Sequence, residues 1–253
     1  MWHPFDIIPP ENLAVADALR SATAAPSCRL VYGERILARF PTKDKIGTDK
    51  QWRPAIDQLP GVTLTRRAPA GDRWELDVEQ RWQFASTDHL LTGTVTAATS
   101  DWRTPLTWTF RQTLTPNKGA APLTPLEEAG TWAEGQVRRS CKAGRGTQSS
   151  SHAAPTLTSI YTLLANFPLE MAARGGQVEG LLGEGFTFSP SAQIGPGHPA
   201  PRALPVAGKL QNYLLTFPGG LPFEFWVNEA GLVVFLCQGP MRVLVLEKVE
   251  AMG

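Results

Sequence analysis

A chain of 253 residues with 42% hydrophobic content can build one large β domain or two small ones around a true core. Its 24 basic and 23 acidic residues leave a net charge of +1, so there is no global field to attract nucleic acid, and no nucleic-acid partner is expected. No apolar run approaches the roughly 18–20 residues that span a bilayer. The opening Met1-Trp2-His3-Pro4-Phe5 lacks the basic and apolar regions of a signal peptide. The expectation is a cytoplasmic protein, or a periplasmic or secreted one if a leader was removed. Charged residues (19%) are below the usual quarter or so, while Gly (23) and Pro (22) are abundant, which suits many turns and long loops. Cys28, Cys141 and Cys237 cannot form a closed disulfide set and are read as reduced, mostly buried thiols.

Residues 1–10 hold three prolines and read as an extended arm. Glu11 to Ala22 has the spacing of a short helix closed by Pro26, and Arg29 to Phe40 reads as β structure. Residues 41–60 are polar and irregular. Strand signals dominate residues 62–141, the first meander. Val62–Arg66 is short. In Arg73–Phe84, Trp74, Leu76, Val78, Trp82 and Phe84 fall on one parity and charged or polar residues on the other, with Gln80 alone interrupting the apolar row. Side chains of a strand alternate between its faces, so this is a long half-buried strand of the kind that builds antiparallel sheets. Ser86-Thr87-Asp88 is a turn into Leu90–Thr99, and Leu106–Leu114 alternates again, with Leu106, Trp108, Phe110 and Leu114 on one face. Thr131–Cys141 is read as one more strand, and the basic, Gly/Ser-rich Lys142–Pro155 as a solvated loop.

The spacing of Leu157, Ile160, Tyr161, Leu164 and Phe167 predicts a central amphipathic helix over 156–167, capped by Thr and stopped by Pro168. Ser189–Pro205 reads as a loop. Residues 205–250 form the second meander: Leu210–Phe217, Phe223–Asn228, Leu232–Gln238 and Val243–Val249, separated by Gly- and Pro-containing turns. Val233-Val234-Phe235-Leu236 is apolar on both faces and belongs in a covered strand. The whole predicts a single mainly β domain, 1–253: a strongly twisted antiparallel sheet forming a half-barrel or open barrel, with one central amphipathic helix in its concavity and a short N-terminal helix.

No catalytic motif stands out. Asp88-His89 sits at a predicted turn and is read as exposed, although an enzyme built on this chain would have its site near these two residues. The histidines and cysteines lack metal-ligand spacing, and no metal or cofactor is expected. Lys142-Ala143-Gly144-Arg145-Gly146-Thr147 lacks the Gly-Lys-Ser/Thr ending of a phosphate loop. The candidate binding residues are the aromatic row Trp74, Trp82, Phe84, Trp108 and Phe110, facing Ile160 and Leu164 of the helix.

The segment Leu221-Pro222-Phe223-Glu224-Phe225-Trp226-Val227-Asn228-Glu229-Ala230-Gly231-Leu232-Val233-Val234-Phe235 resembles the closing hairpin of uncharacterised bacterial β proteins. The order of meander, helix and second meander is similar to half-barrel lipid and lipoprotein carriers. The aromatic face on long strands, a helix able to plug it and the lack of a reactive constellation predict first a non-catalytic carrier of an apolar or amphipathic small molecule, held between sheet and helix. The second expectation is an assembly module that binds another protein chain through strand edges or the N-terminal arm.

Overall fold

The alternation in Arg73–Phe84 is realised in space. Leu76, Val78 and Gln80 are buried, Trp74 and Trp82 half-buried, and Arg73, Glu79 and Arg81 exposed. The computed structural model describes the chain apart from residues 1–4, 6, 7, 9, 16–18, 20, 21, 38–55, 85, 86, 100–102, 117–120, 198–209, 240, 241 and 253, and gives backbone alone at Pro10, Ile56 and Phe84.

The first meander runs β1 (Cys28–Leu37), β2 (Ile56–Ala70), β3 (Arg73–Phe84), β4 (Thr87–Ala98), β5 (Pro105–Pro116), β6 (Leu126–Ala133), β7 (Gln136–Ala143) and β8 (Gly146–Ala153). β9 (Thr158–Ser159) leads into α1 (Ile160–Ala165) and α2 (Leu169–Arg174), followed by the short β10 (Gly176–Val178), β11 (Leu181–Leu182) and β12 (Phe188–Ser189). The chain closes with β13 (Ala192–Pro196), β14 (Gln211–Thr216), β15 (Phe223–Val227), β16 (Val233–Gln238) and β17 (Arg242–Ala251). Fourteen strands form one antiparallel sheet in the order β10-β13-β14-β15-β16-β17-β1-β2-β3-β4-β5-β6-β7-β8. The two meanders are fused by the pairing of β1 with β17, from Cys28 opposite Ala251 to Ile36 opposite Arg242. The sheet does not close: β10 ends it on one side and β8 on the other. A small sheet, β12-β11-β9, lies apart from it.

The mainly β, antiparallel expectation therefore stands, with corrections. The helix predicted over 156–167 is confined to Ile160–Ala165, because Thr158 and Ser159 pair in parallel with Leu181 and Leu182. Ser159, not a threonine, caps it, accepting from Tyr161 N at 3.2 Å while Thr162 Oγ1 accepts from Ser159 N at 3.2 Å. The strand predicted over 131–141 is broken by a turn at Glu134-Gly135, and the predicted loop 142–155 is instead the β7–β8 hairpin turning at Gly144-Arg145. β8 has no apolar row to betray it. β2 starts earlier than 62, within the stretch 41–60 read as irregular. Of the N-terminal helix, Pro10–Leu13 is a 3-10 turn, and much of the rest lies outside the described residues.

The inner face of the sheet wraps α1, every residue of which is buried. The Tyr32 hydroxyl of β1 lies 3.2 Å from the Leu164 carbonyl oxygen. Arg66 of β2 donates to Ala165 O at 3.3 Å, and Tyr161 donates to Gln80 of β3 at 2.6 Å. The rings of Phe110 (β5) and Tyr161 are 5.6 Å apart, and Phe167 lies 5.0 Å from both Tyr213 (β14) and Phe225 (β15). One short segment thus touches strands that, from β14 to β5 inclusive, are the ends of a run of nine in the sheet order. Laid flat, nine strands would span roughly 40 Å at ordinary strand spacing, so the sheet must curl around it.

A second apolar cluster covers the outer face of β15–β17. Phe5, Ile8, Leu13 and Val15 are buried there with Trp226, Val234, Phe235, Val243 and Val245. The Phe5 ring meets those of Trp226 and Phe235 edge-on, at 5.4 Å each. This explains why β16 is apolar on both faces. Of the segment 1–10 read as an extended arm, Phe5 and Ile8 are buried against the chain's own sheet, and residues 1–4, 6, 7 and 9 lie outside the described residues.

In the β6–β7 turn, Glu134 (φ 51°) and Gly135 (φ 72°) are both left-handed, as a two-residue hairpin requires. A side chain with a Cβ carries a penalty there, which asparagine bears most easily. Glu134→Asn is expected to stabilise the protein by about 0.5–1 kcal/mol, read as a rise in Tm of about 1–3 °C on thermal unfolding.

Candidate functional site

The structure brings most of the predicted aromatic site together, but as packing. Trp108, Phe110, Ile160 and Leu164 are all buried in the inner core. Trp108 lies flat across β6 because Gly130 has no Cβ; one placed there would come within 2.1 Å of the indole. Its Nε1 then donates to Glu128 at 2.7 Å. Trp74 and Trp82 sit toward opposite ends of β3. Arg66 stacks over Trp74 at 5.6 Å, and His89 stacks on Trp82 at 5.0 Å. The side chain of Phe84 lies outside the described residues. Beside Trp74 and Thr162, between sheet and helix, is a cavity of about 10 Å³, room for about one water molecule.

Asp88 and His89 belong to β4, not to a turn. His89 Nδ1 is 2.9 Å from Gln112 Nε2, and partial burial draws its pKa below the ordinary imidazole value. Among the described residues no group of three or more His, Cys, Asp or Glu side chains is placed to hold a metal ion, and all three cysteines are free thiols.

Two interior polar centres went unforeseen. In the first, Arg242 of β17 donates to Glu34 of β1, to Glu184 from the β11–β12 connection, and to Gln238 at 3.2 Å. Gln80 donates to Glu184 at 3.1 Å while accepting from Tyr161. The one polar interruption of the β3 apolar row was the sequence signal for this centre. In the second, Arg139 of β7 grips both oxygens of the buried Glu128 at 3.1 and 2.6 Å and donates to Phe186 O at 2.7 Å. Both centres are enclosed ion pairs that tie the β11–β12 connection to the inner face.

The free edge lies beyond the second centre. Among the described residues β8 pairs only with β7, and all its residues are exposed except the half-buried Ser150. Ala154 N donates to Gly135 O at 2.8 Å, so that pair is hydrogen-bonded. Bonded pairs alternate along an antiparallel ladder. The even-numbered residues of β8 therefore turn their backbone groups toward β7, and Thr147, Ser149, Ser151 and Ala153 turn theirs outward.

On the sheet's outer face, β4–β8 carry a shallow groove floored by Ala129 and Ser140 and edged by Thr92, Thr109, Thr147 and Ser149. Its two continuous parts have volumes of about 570 and 710 Å³. A further hollow of about 370 Å³, lined in part by Leu126, Cys141, Gln148 and Phe186, opens beside the start of β8.

This is an all-β protein with an open, barrel-like sheet. Among solved structures it is similar to a beta-barrel-like protein of domain of unknown function DUF1849 from Brucella abortus, with a TM-score of 0.54 and 9% identity, over 92% of this chain and 100% of that one. At that identity the likeness concerns the fold alone. No protein-family model and no curated protein matches the chain. No helix among the described residues is long and apolar enough to cross a membrane.

Glu34 is nearly fully buried, its Oε2 has no hydrogen-bond partner, and burial pushes its carboxyl pKa up. Between the unfolded and folded pKa values the native state holds a proton that the unfolded chain releases, so stability falls as pH rises through that window. Glu34→Gln is expected to remove this decline; urea unfolding at pH 5 and pH 8 would read it as a smaller loss of stability between the two than the parent shows.

Proposed function

We propose that the chain is a binding module that receives an extended segment of another protein as an added strand on β8. The observation behind this reading is the character of that edge. A free strand edge is a template for another chain, and proteins usually blunt it with prolines, lysines, bulges or a cover. β8 is an eight-residue strand, Gly-Thr-Gln-Ser-Ser-Ser-His-Ala, with no proline and no lysine. It pairs with β7 in unbroken register from Ala153 to Gly146. The grooves on its two sides offer room for alternate side chains of the added strand.

A carrier of an apolar or amphipathic small molecule, using Trp74, Trp82, Phe84, Trp108, Phe110, Ile160 and Leu164, is the reading drawn from the aromatic row and the helix stripe that faces it. The cavity beside Trp74 and Thr162 is about 10 Å³, far below the several hundred Å³ of an ordinary ligand pocket, and Trp108, Phe110, Ile160 and Leu164 are packed in the core, so strand addition is preferred. Binding through the N-terminal arm is less favoured than binding through β8, because Phe5 and Ile8 are buried on the sheet.

Ser149→Pro deletes an outward N–H and leaves the β7 ladder intact, whereas Ser150→Pro deletes a ladder bond. Peptides selected from a displayed random library on the immobilised protein are expected to protect the amides of Thr147, Ser149 and Ser151 from hydrogen exchange, and to lose at least tenfold in affinity for the Ser149→Pro variant. Selected peptides that protect none of these amides and bind the variant equally well would refute strand addition.

A further inference from the structure

The outer face beside β8 carries a specific charge pattern. On β7, Lys142, Ser140 and Arg138 stand directly opposite Thr147, Ser149 and Ser151. The β8 residues are short, so the long stems of Lys142 and Arg138 can reach across them toward the position of a next strand. Arg138 is exposed and makes no ion pair among the described residues. Lys142 shares one carboxylate, Glu127, with Arg111, at 3.7 and 3.5 Å, so two cations face one acid. Arg145 at the hairpin turn adds another positive charge. β8 itself carries no carboxylate that could balance these groups.

We infer that the segment received by β8 is acidic on one face, with two acidic side chains four residues apart set against Arg138 and Lys142. This rests on the strand-addition reading above. The spacing follows from the strand repeat: residues four apart on β7 lie on one face roughly 13 Å apart, and four residues of an added strand cover the same length. The residue between the two acids faces the Ser140–Ser149 pair, where a hydroxyl or another small polar group fits. The alternate residues point to the inner side, toward the hollow at Phe186 and Gln148, which takes small apolar side chains. A second copy of this chain is a poorer occupant, because its β8 brings no acid to Arg138 or Lys142.

The test uses the full chain and three end-blocked peptides. The first is Val-Glu-Val-Thr-Val-Glu-Val; in the second both Glu are Gln, and in the third both are Lys. Binding is measured by fluorescence anisotropy at low and high salt, on the parent, on Ser149→Pro and on an Arg138→Ser/Lys142→Ser double variant, each first shown to fold by circular dichroism. The Glu peptide is expected to bind about tenfold more tightly than the Gln peptide at low salt, and the Lys peptide to bind weakest. This order should shrink in high salt and vanish in the double variant, and all three peptides should lose affinity on Ser149→Pro.

Equal binding of all three peptides to the parent, lost on Ser149→Pro, would overturn the acidic preference and leave strand addition standing. Charge-ordered binding that ignores Ser149→Pro, or no binding of any peptide, would overturn strand addition and the inference with it. A dimer of the parent in light scattering that Ser149→Pro dissolves would overturn the inference in favour of a second copy.

Discussion

The burial of one short polar-backboned segment sets the shape of this molecule. Residues 159–167 run through the interior, where water cannot satisfy their amide and carbonyl groups, and an unpaired buried group is costly. The sheet supplies the partners. Ser159 and Thr162 close the N-terminal end of α1, and Thr162 Oγ1 also donates to Arg103 O at 2.8 Å. At the other end, carbonyls that a helix leaves unsatisfied meet Tyr32 and Arg66. Arg66 also binds the carbonyls of Ala24, Ala25 and Pro26, so one guanidinium fixes the entry to β1 and the exit of α1. These contacts come from strands far apart in the sheet, and they can be made together only if the sheet curls.

The two ion-pair centres extend the same logic. Burying a carboxylate and a guanidinium costs desolvation that their attraction need not recover, so such pairs are weak evidence for stability. Their geometric effect is clearer. Glu184 is held by Arg242 and Gln80, and the Phe186 carbonyl by Arg139. The β11–β12 connection is thereby pinned at two places to the inner face. His152 and Arg139 both lie against the Phe188 ring, at 4.9 and 5.5 Å, which continues this support to β8. The free edge is thus backed by a braced layer, although its outward groups are bare.

What the sequence disclosed follows from where one face is dry and the other wet. β3 and β5 declare themselves by alternation, and β14–β17 by apolar runs between Gly and Pro turns, so the antiparallel sheet was legible. So was the burial of both faces of β16, though not its cover, since Phe5 and Ile8 are distant in sequence from their partners. β8 was hidden because both its faces are wet, and alternation needs a dry one. The helix was overestimated because the apolar spacing from Leu157 to Phe167 is satisfied in part by a strand bridge at 158–159. Trp108 and Phe110 lie in one core, with Trp82 packed against it, but spacing alone cannot distinguish a lined cavity from a filled one. The fused polar centre was visible only as the anomaly of Gln80; its partners Glu34, Glu184 and Arg242 come from three other parts of the chain.

The two ends of the open sheet are treated differently. β10 has three residues and begins immediately after α2, which packs beside β13; an edge that short offers little to a passing chain. β8 has eight residues and, among the described residues, no comparable protection. Its side chains are hydroxyls, an amide, an imidazole and small groups, so it gives an incoming strand backbone hydrogen bonds but little apolar burial of its own. Each such bond is worth only about 0.5–1.5 kcal/mol net, which leaves two identical β8 edges little reason to pair. A partner that also fills the hollow at Phe186 and answers Arg138 and Lys142 adds terms that self-pairing lacks. On the proposed strand addition, such a polar edge would disfavour association with itself and favour a strand that brings the missing groups.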